Sequence, residues 1–336
     1  MKTRIACLSL LTQAALSATL PQAHHSPLAE TIFSLPAAQS WFENLAYRPS
    51  TNSILATRLD LPQIWSIDPA TRNGSLLANV PETLGLVGIT QFAHTAPETF
   101  IVASVNFSVT AGVQANSSLL WNLTFGDDGS ATVEKAVSIP QMGLINGVAK
   151  WDDHSVLAAD SELGAIWKVD LATGEATVAL KDPTMAVTES TGVNGVHVYR
   201  HRGSDETYVY YTSTDQGLLA RVPVSPATAQ RWPPNASVEI IASGFTSPDD
   251  FAILPDGSVF LATGKNNTLV HVGLSGRSKT VAGSQGSLVL ASCTSCALGA
   301  NERVYATTAG GEEAPVNGTL TGPGSIVEID FGVTSW

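Results

Sequence analysis

Asn146-Gly147-Val148-Ala149, Ser155-Val156-Leu157-Ala158-Ala159-Asp160 and Ile166-Trp167-Lys168-Val169-Asp170 form the stretch that decides the fold. A polar residue opens a short run of small and apolar residues. A turn follows, then a strand, a second turn and a strand ending in Asp. The pattern returns at Asn194-Gly195-Val196-His197, followed by Tyr208-Val209-Tyr210-Tyr211-Thr212 and Leu219-Ala220-Arg221-Val222. Earlier copies start at Glu43-Asn44-Leu45-Ala46 and Thr90-Gln91-Phe92-Ala93; later ones start at Asp249-Asp250-Phe251-Ala252 and near Cys293. The units thus open at residues 43, 90, 146, 194, 249 and 293. A period of about fifty residues, with three or four strands per unit, predicts an all-β, six-bladed β-propeller. A pair of β-sandwiches would not put polar residues at one phase of six strands.

The length of 336 residues allows two or three average domains. The repeat instead predicts a single propeller domain over 21–336. The sixth copy ends at Phe331 without a fourth strand. Thr31-Ile32-Phe33-Ser34-Leu35 is strand-like and is expected to complete that blade, closing the ring from both ends.

Only 14% of the residues are charged, against about 25% in an ordinary soluble domain. Acids outnumber bases 29 to 17, for a net charge of −12. This argues against nucleic acid as a partner, because phosphate backbones attract basic faces. Lys2 and Arg4 precede an apolar stretch from Ile5 to about Leu20, with small residues at Ala15, Ser17 and Ala18. This predicts a signal peptide over 1–20, and so a secretory or extracellular protein with no membrane span in the mature chain. Asn-x-Ser/Thr sequons at Asn73, Asn106, Asn116, Asn122, Asn235, Asn266 and Asn317 agree with that route. In such a compartment Cys293 and Cys296 are expected to form a local disulfide.

The residue opening each inner strand should face the mouth of the central channel. These residues are Glu43, Thr90, Asn146, Asn194, Asp249 and one of Cys293 or Thr294. Four of them carry hard oxygen donors, a mix that suits Ca²⁺ or Mg²⁺ better than zinc. Nothing in the sequence calls for an organic cofactor.

The repeat, with Asn194-Gly195-Val196 and Pro248-Asp249-Asp250-Phe251, resembles the senescence-marker/gluconolactonase superfamily of six-bladed propellers. The resemblance spans about residues 30–331 and is strongest at the blade starts. It implies a divalent metal at the channel mouth, held by Glu43, Asn146, Asn194 and Asp249. The usual Asp-Gly is Asp249-Asp250 here, and the Arg that sugar lactonases place two residues before the first Asn is Leu144. An apolar mouth suits hydrophobic small-molecule substrates better than an aldonolactone.

The secretory leader and the Trp41-Phe42-Glu43-Asn44-Leu45-Ala46 opening resemble the fungal intermolecular hetero-Diels–Alderases of tropolone–sesquiterpenoid biosynthesis. That resemblance implies a cycloaddition between a tropolone-type o-quinone methide and a humulene-type alkene. Such a reaction needs oriented partners and a donor to the tropolone oxygen. Trp41, Phe42, Gln91, Met142, Leu144 and Phe251 are the expected pocket residues, and Arg58, Asp215 and Lys265 the expected polar catalytic groups. The long segments 104–118 and 309–323 are candidate lids. A metal-dependent lactonase or phosphotriesterase is the alternative expectation, with Asp249 as base. A non-catalytic binding propeller and a condensing enzyme using Glu312 or Glu313 as acid are further expectations.

Overall fold

The computed structural model describes residues 28–331, except 95–96, 109–110, 202, 204–205 and 225–236. The expected leader and the Asn235 sequon lie outside these residues.

Among the described residues, six four-stranded antiparallel sheets form the blades, beside one two-stranded hairpin. In five of the blades successive strands run outward from the channel in chain order, and in the sixth the outermost strand comes from the N-terminal end. The third blade, for example, is Ile145–Lys150, Ser155–Asp160, Ala165–Asp170 and Ala176–Leu180. Its second strand is buried at every residue, whereas its outermost strand is exposed or half-buried at all but its last residue. This gradient follows from position, because the second strand has neighbours on both edges and both faces. Short 3₁₀ turns at Pro183–Met185 and Ala300–Glu302 are the helical segments among the described residues.

The ring closes as expected. Leu28–Ser34 pairs antiparallel with Ser325–Asp330, Leu28 facing Asp330 and Ser34 facing Ser325. The N-terminal strand thus covers the edge that the last three C-terminal strands would leave open.

The inner strands share one irregularity. Each bulges near its mouth end, so that two residues oppose one on the second strand. The pairs are Glu43-Asn44, Val87-Gly88, Asn146-Gly147, Asn194-Gly195, Asp249-Asp250 and Thr294-Ser295. Hydroxyls from neighbouring blades satisfy several carbonyls here. Thr57 Oγ1 donates to the carbonyl of Val87 at 2.6 Å, and Thr212 Oγ1 to that of Asp249 at 2.7 Å.

This register corrects one expectation and narrows another. In blade two the position equivalent to Asn146 is Val87, not Thr90, because Leu86 pairs with Ser104 and Ile89 with Val102 around the bulge. The inner strand there is long, Gly85–Ala93, and Thr90 is simply the first polar residue within it. In blade six, where the sequence allows either Cys293 or Thr294, the equivalent residue is Thr294. The two cysteines are also free, not bridged. Cys293 stands opposite Thr308 and Cys296 opposite Ala306, on either side of the bulge. Cys296 Sγ instead lies 3.2 Å from the carbonyl oxygen of Phe260.

Candidate functional site

In four of the blades the first residue of the bulge lines the mouth of the channel. Glu43, Asn146, Asn194 and Asp249 come from four blades and open on one cavity of about 740 Å³. That volume is in the range of pockets for small organic ligands. Trp41, Leu144, Asp215 and Lys265 also line it.

Five other expected residues do not line this cavity. Phe42 and Phe251 flank their bulges and are fully buried between blades. Met142 is 2% exposed and packs into the core of blades two and three. Gln91 follows the shifted register of blade two, and its Nε2 donates to Glu98 Oε1 at 3.0 Å. Arg58 is buried, with Nε on Asp60 Oδ1 at 3.0 Å and Nη1 on Gln63 Oε1 at 2.9 Å. Asp60 also accepts the Trp41 backbone N–H at 3.2 Å, so Arg58 braces the segment that carries Trp41.

Other lining residues were not anticipated: Leu59, Phe107, Val113 and Phe245, with Ser247 on the polar side. Phe107–Ser108 pairs with Gly112–Val113 in a small hairpin from the long blade-two loop. The length of that loop was the only sequence signal for it. Glu313, from the other long loop, also reaches the cavity.

Beneath the mouth lies a polar plug. Asn44 Nδ2 donates across the channel to Asp250 Oδ2 at 2.7 Å, linking the bulge of Glu43 to that of Asp249. Asp250 Oδ1 lies 2.8 Å from His197 Nε2 and accepts the Phe251 backbone N–H at 2.8 Å. A Cβ on Gly195 would sit 2.4 Å from this same oxygen, so the carboxylate fits only because a glycine faces it. Burial opposes the charge on Asp250, but His197 and these donors outweigh it and hold its pKa below the ordinary carboxylate value.

The mouth carboxyls behave in the opposite way. Burial, then repulsion from Glu313, pushes Glu43 up to about 8, against a 2.5 Å bond from Trp41 Nε1. Burial and the charges of Glu43, Glu313 and Asp250 push Asp249 well up. Burial also raises Glu313, to about 7, with Lys265 and Ser247 opposing. Asp215 is lowered despite partial burial, because its Oδ2 accepts four backbone N–H groups from Thr188 to Thr191. Its structural work is to hold that loop.

Asn194 Nδ2 donates to Thr214 Oγ1 at 3.0 Å, and that hydroxyl donates to the Pro248 carbonyl at 2.9 Å. The Asn194 amide is thereby oriented at the cavity wall. Among the described residues, no three His, Cys, Asp or Glu side chains are grouped to hold an ion. The set at the mouth is instead two carboxyls and two amides. Both carboxyls are buried and have no Lys or Arg ion pair among the described residues. This donor set fits a hard divalent cation, which would relieve their repulsion.

No protein-family model matches the chain. A protein of Phoma sp described as "Putative hetero-Diels-Alderase" is 25% identical across 94% of this chain and 94% of its own length. Among solved structures, the calcium-binding regucalcin of Agrobacterium tumefaciens superposes with a TM-score of 0.61 at 14% identity, covering 90% of this chain and 95% of that one. A gluconolactonase of Xanthomonas campestris gives a TM-score of 0.58 at 11% identity, covering 90% and 89%. The chain therefore shares the propeller fold of those two proteins and is similar in sequence, over nearly its whole length, to the Phoma protein.

Proposed function

We propose that this chain catalyses an intermolecular hetero-Diels–Alder cycloaddition in the cavity at the channel mouth. Its reactants would be a tropolone-type o-quinone methide and a humulene-type sesquiterpene. The observation that carries this reading is a mouth walled by Leu59, Leu144, Phe107 and Val113, with Lys265 opening on the same space. The likeness to the Phoma protein supports it.

The reaction needs no nucleophile and no redox step. The heterodiene oxygen and its terminal carbon each bond to one alkene carbon, and the remaining π electrons shift within the ring formed. Holding both reactants together removes much of the entropic barrier. An N–H of Lys265 donating to the heterodiene oxygen makes that partner more electron-poor. A divalent cation held by Glu43, Asn146, Asn194 and Asp249 would supply Lewis-acid polarisation of an oxygen at the mouth.

Incubation with a quinone-methide precursor and humulene, followed by chiral chromatography, tests the reading. One enantiomer formed faster than in buffer is expected. A racemic mixture at the buffer rate would overturn it. Lys265→Ala should lower the rate by about 10–100-fold. The oxygen-donor ring favours a second reading, a metal-dependent lactonase or phosphotriesterase. Lactone or phosphotriester hydrolysis that EDTA abolishes while the fold is retained would select that alternative.

The secretory route is part of the proposal. Sequons at Asn73, Asn116 and Asn317 stand on exposed positions that can carry glycans. Endoglycosidase treatment of protein expressed through a eukaryotic secretory pathway should lower its mass; an unchanged mass would exclude glycosylation there.

A further inference from the structure

The lining of the cavity is not mixed at random. Leu59, Phe107, Val113 and Leu144 all pack against the same hydrophobic cluster, that of blades two and three. They therefore lie on the side of the cavity that faces the core of blades two and three. The polar ring has its gap at the same place, because blade two contributes Val87 where other blades contribute Glu43, Asn146, Asn194 or Asp249. The Phe107–Val113 hairpin belongs to that blade.

Blades five and six supply a different wall. Lys265 lies close enough to Glu313 to oppose the rise in its pKa, and Ser247 Oγ reaches Glu313 Oε2 at 3.5 Å. Lys265 makes no ion pair within 4.0 Å among the described residues, which leaves its ammonium available to a ligand oxygen. Glu43 and Asp249 lie on the same cavity as both walls.

We infer that the cavity is divided into two subsites that bind chemically different reactants. The wall of Leu59, Phe107, Val113 and Leu144 takes a hydrocarbon with no polar group, and the wall around Lys265 takes an oxygen-rich partner with an acidic or carbonyl oxygen. This division rests on the cycloaddition reading for its biological use, but each half can be measured without turnover. A site for one polar substrate would not need a separate apolar wall under its own hairpin. A site for one hydrocarbon would not leave a lysine facing the cavity.

The test measures binding of each probe alone, humulene or tropolone, by quenching of tryptophan fluorescence with calorimetry as a check. Phe107→Ser and Val113→Ser should each weaken humulene about tenfold and leave tropolone unchanged. Lys265→Met should weaken tropolone about tenfold and leave humulene unchanged. The melting temperatures of the variants identify any that unfold, and two separate hairpin variants guard against losing one. Equal weakening of both probes by all three variants, or no binding of humulene to the unmodified protein, would overturn the division. If the predicted split is found but no adduct forms with both reactants present, the division stands and the cycloaddition falls.

Discussion

Glu43 and Asp250 are both buried acids near the channel axis, and their environments push them in opposite directions. Glu43 meets other carboxyls, whereas Asp250 meets His197 and the Asn44 amide. The signs follow from proton binding. Glu43, Asp249 and Glu313 hold their protons more tightly folded than unfolded, where acids ionise near pH 4. Their effect is to lower stability progressively as pH rises from about 4 to 8. Asp250 has a lowered pKa, so its stabilising contribution is present above about pH 4 and is lost as pH falls through its folded pKa. The melting temperature, followed by scanning fluorimetry, should therefore decline from pH 5 to pH 8 in chelated buffer. Calcium should restore it at pH 8, and Glu43→Gln should flatten the decline and abolish the calcium effect. A melting temperature that rises from pH 5 to pH 8 would contradict this account.

The cysteines belong to the same scale. Burial pushes both thiols up, and both are covered. Neither should react with iodoacetamide in the native protein. After denaturation without reductant, both should be alkylated; a resistant pair would indicate a bridge between them.

At the scale of elements, the bulge is the device that builds the site. At Glu43-Asn44, Asn146-Gly147, Asn194-Gly195 and Asp249-Asp250 its paired residues serve different ends, the first lining the mouth and the second filling or clearing the channel. Gly195→Ala tests this most directly. The added methyl would contact Asp250 Oδ1, and overpacking of this kind costs about 1–3 kcal/mol. A lower urea midpoint is expected, with loss of calcium binding if the plug aligns the mouth. Thr212→Val removes the hydroxyl that serves the Asp249 carbonyl and should cost about 1–3 kcal/mol, because a buried acceptor loses its donor.

The blade pattern was legible wherever a polar residue and a glycine or small residue stood together, as at Asn146-Gly147 and Asn194-Gly195. It misled in blade two, where Val87-Gly88 has no polar residue to announce it and Thr90 stands three positions on. The pocket was less legible. Leu144 and Trp41 flank mouth residues and were found by adjacency. Phe42 and Phe251 have the same adjacency, yet backbone direction at the bulge turns them into the core.

At the scale of the whole molecule, closure joins the two ends of the chain. Removing Leu28–Leu35 would expose the edge of Ser325–Asp330 and unseat Ile32 and Leu35 from the first-blade core. A chain starting at Ala37 should unfold at a lower temperature and associate through its open edge. Size-exclusion chromatography and thermal melting check both outcomes, and an unchanged monomer with the original melting temperature would show that the edge strand is dispensable.

The sequence by itself determined the six blades, the strand that closes them and the four oxygen-bearing residues at the mouth. Those features are written in a period and in local strand and turn chemistry, which each repeat carries complete. Only the tertiary structure decided which apolar residues wall the cavity, that Arg58 is tied to Asp60, and that the cysteines stand apart. It also decided that Asn44 and Asp250, 206 positions apart, meet across the channel. The reason is physical. The direction of a side chain at a bulge depends on the strand beside it and on the blade beyond, and those partners come from distant parts of the chain.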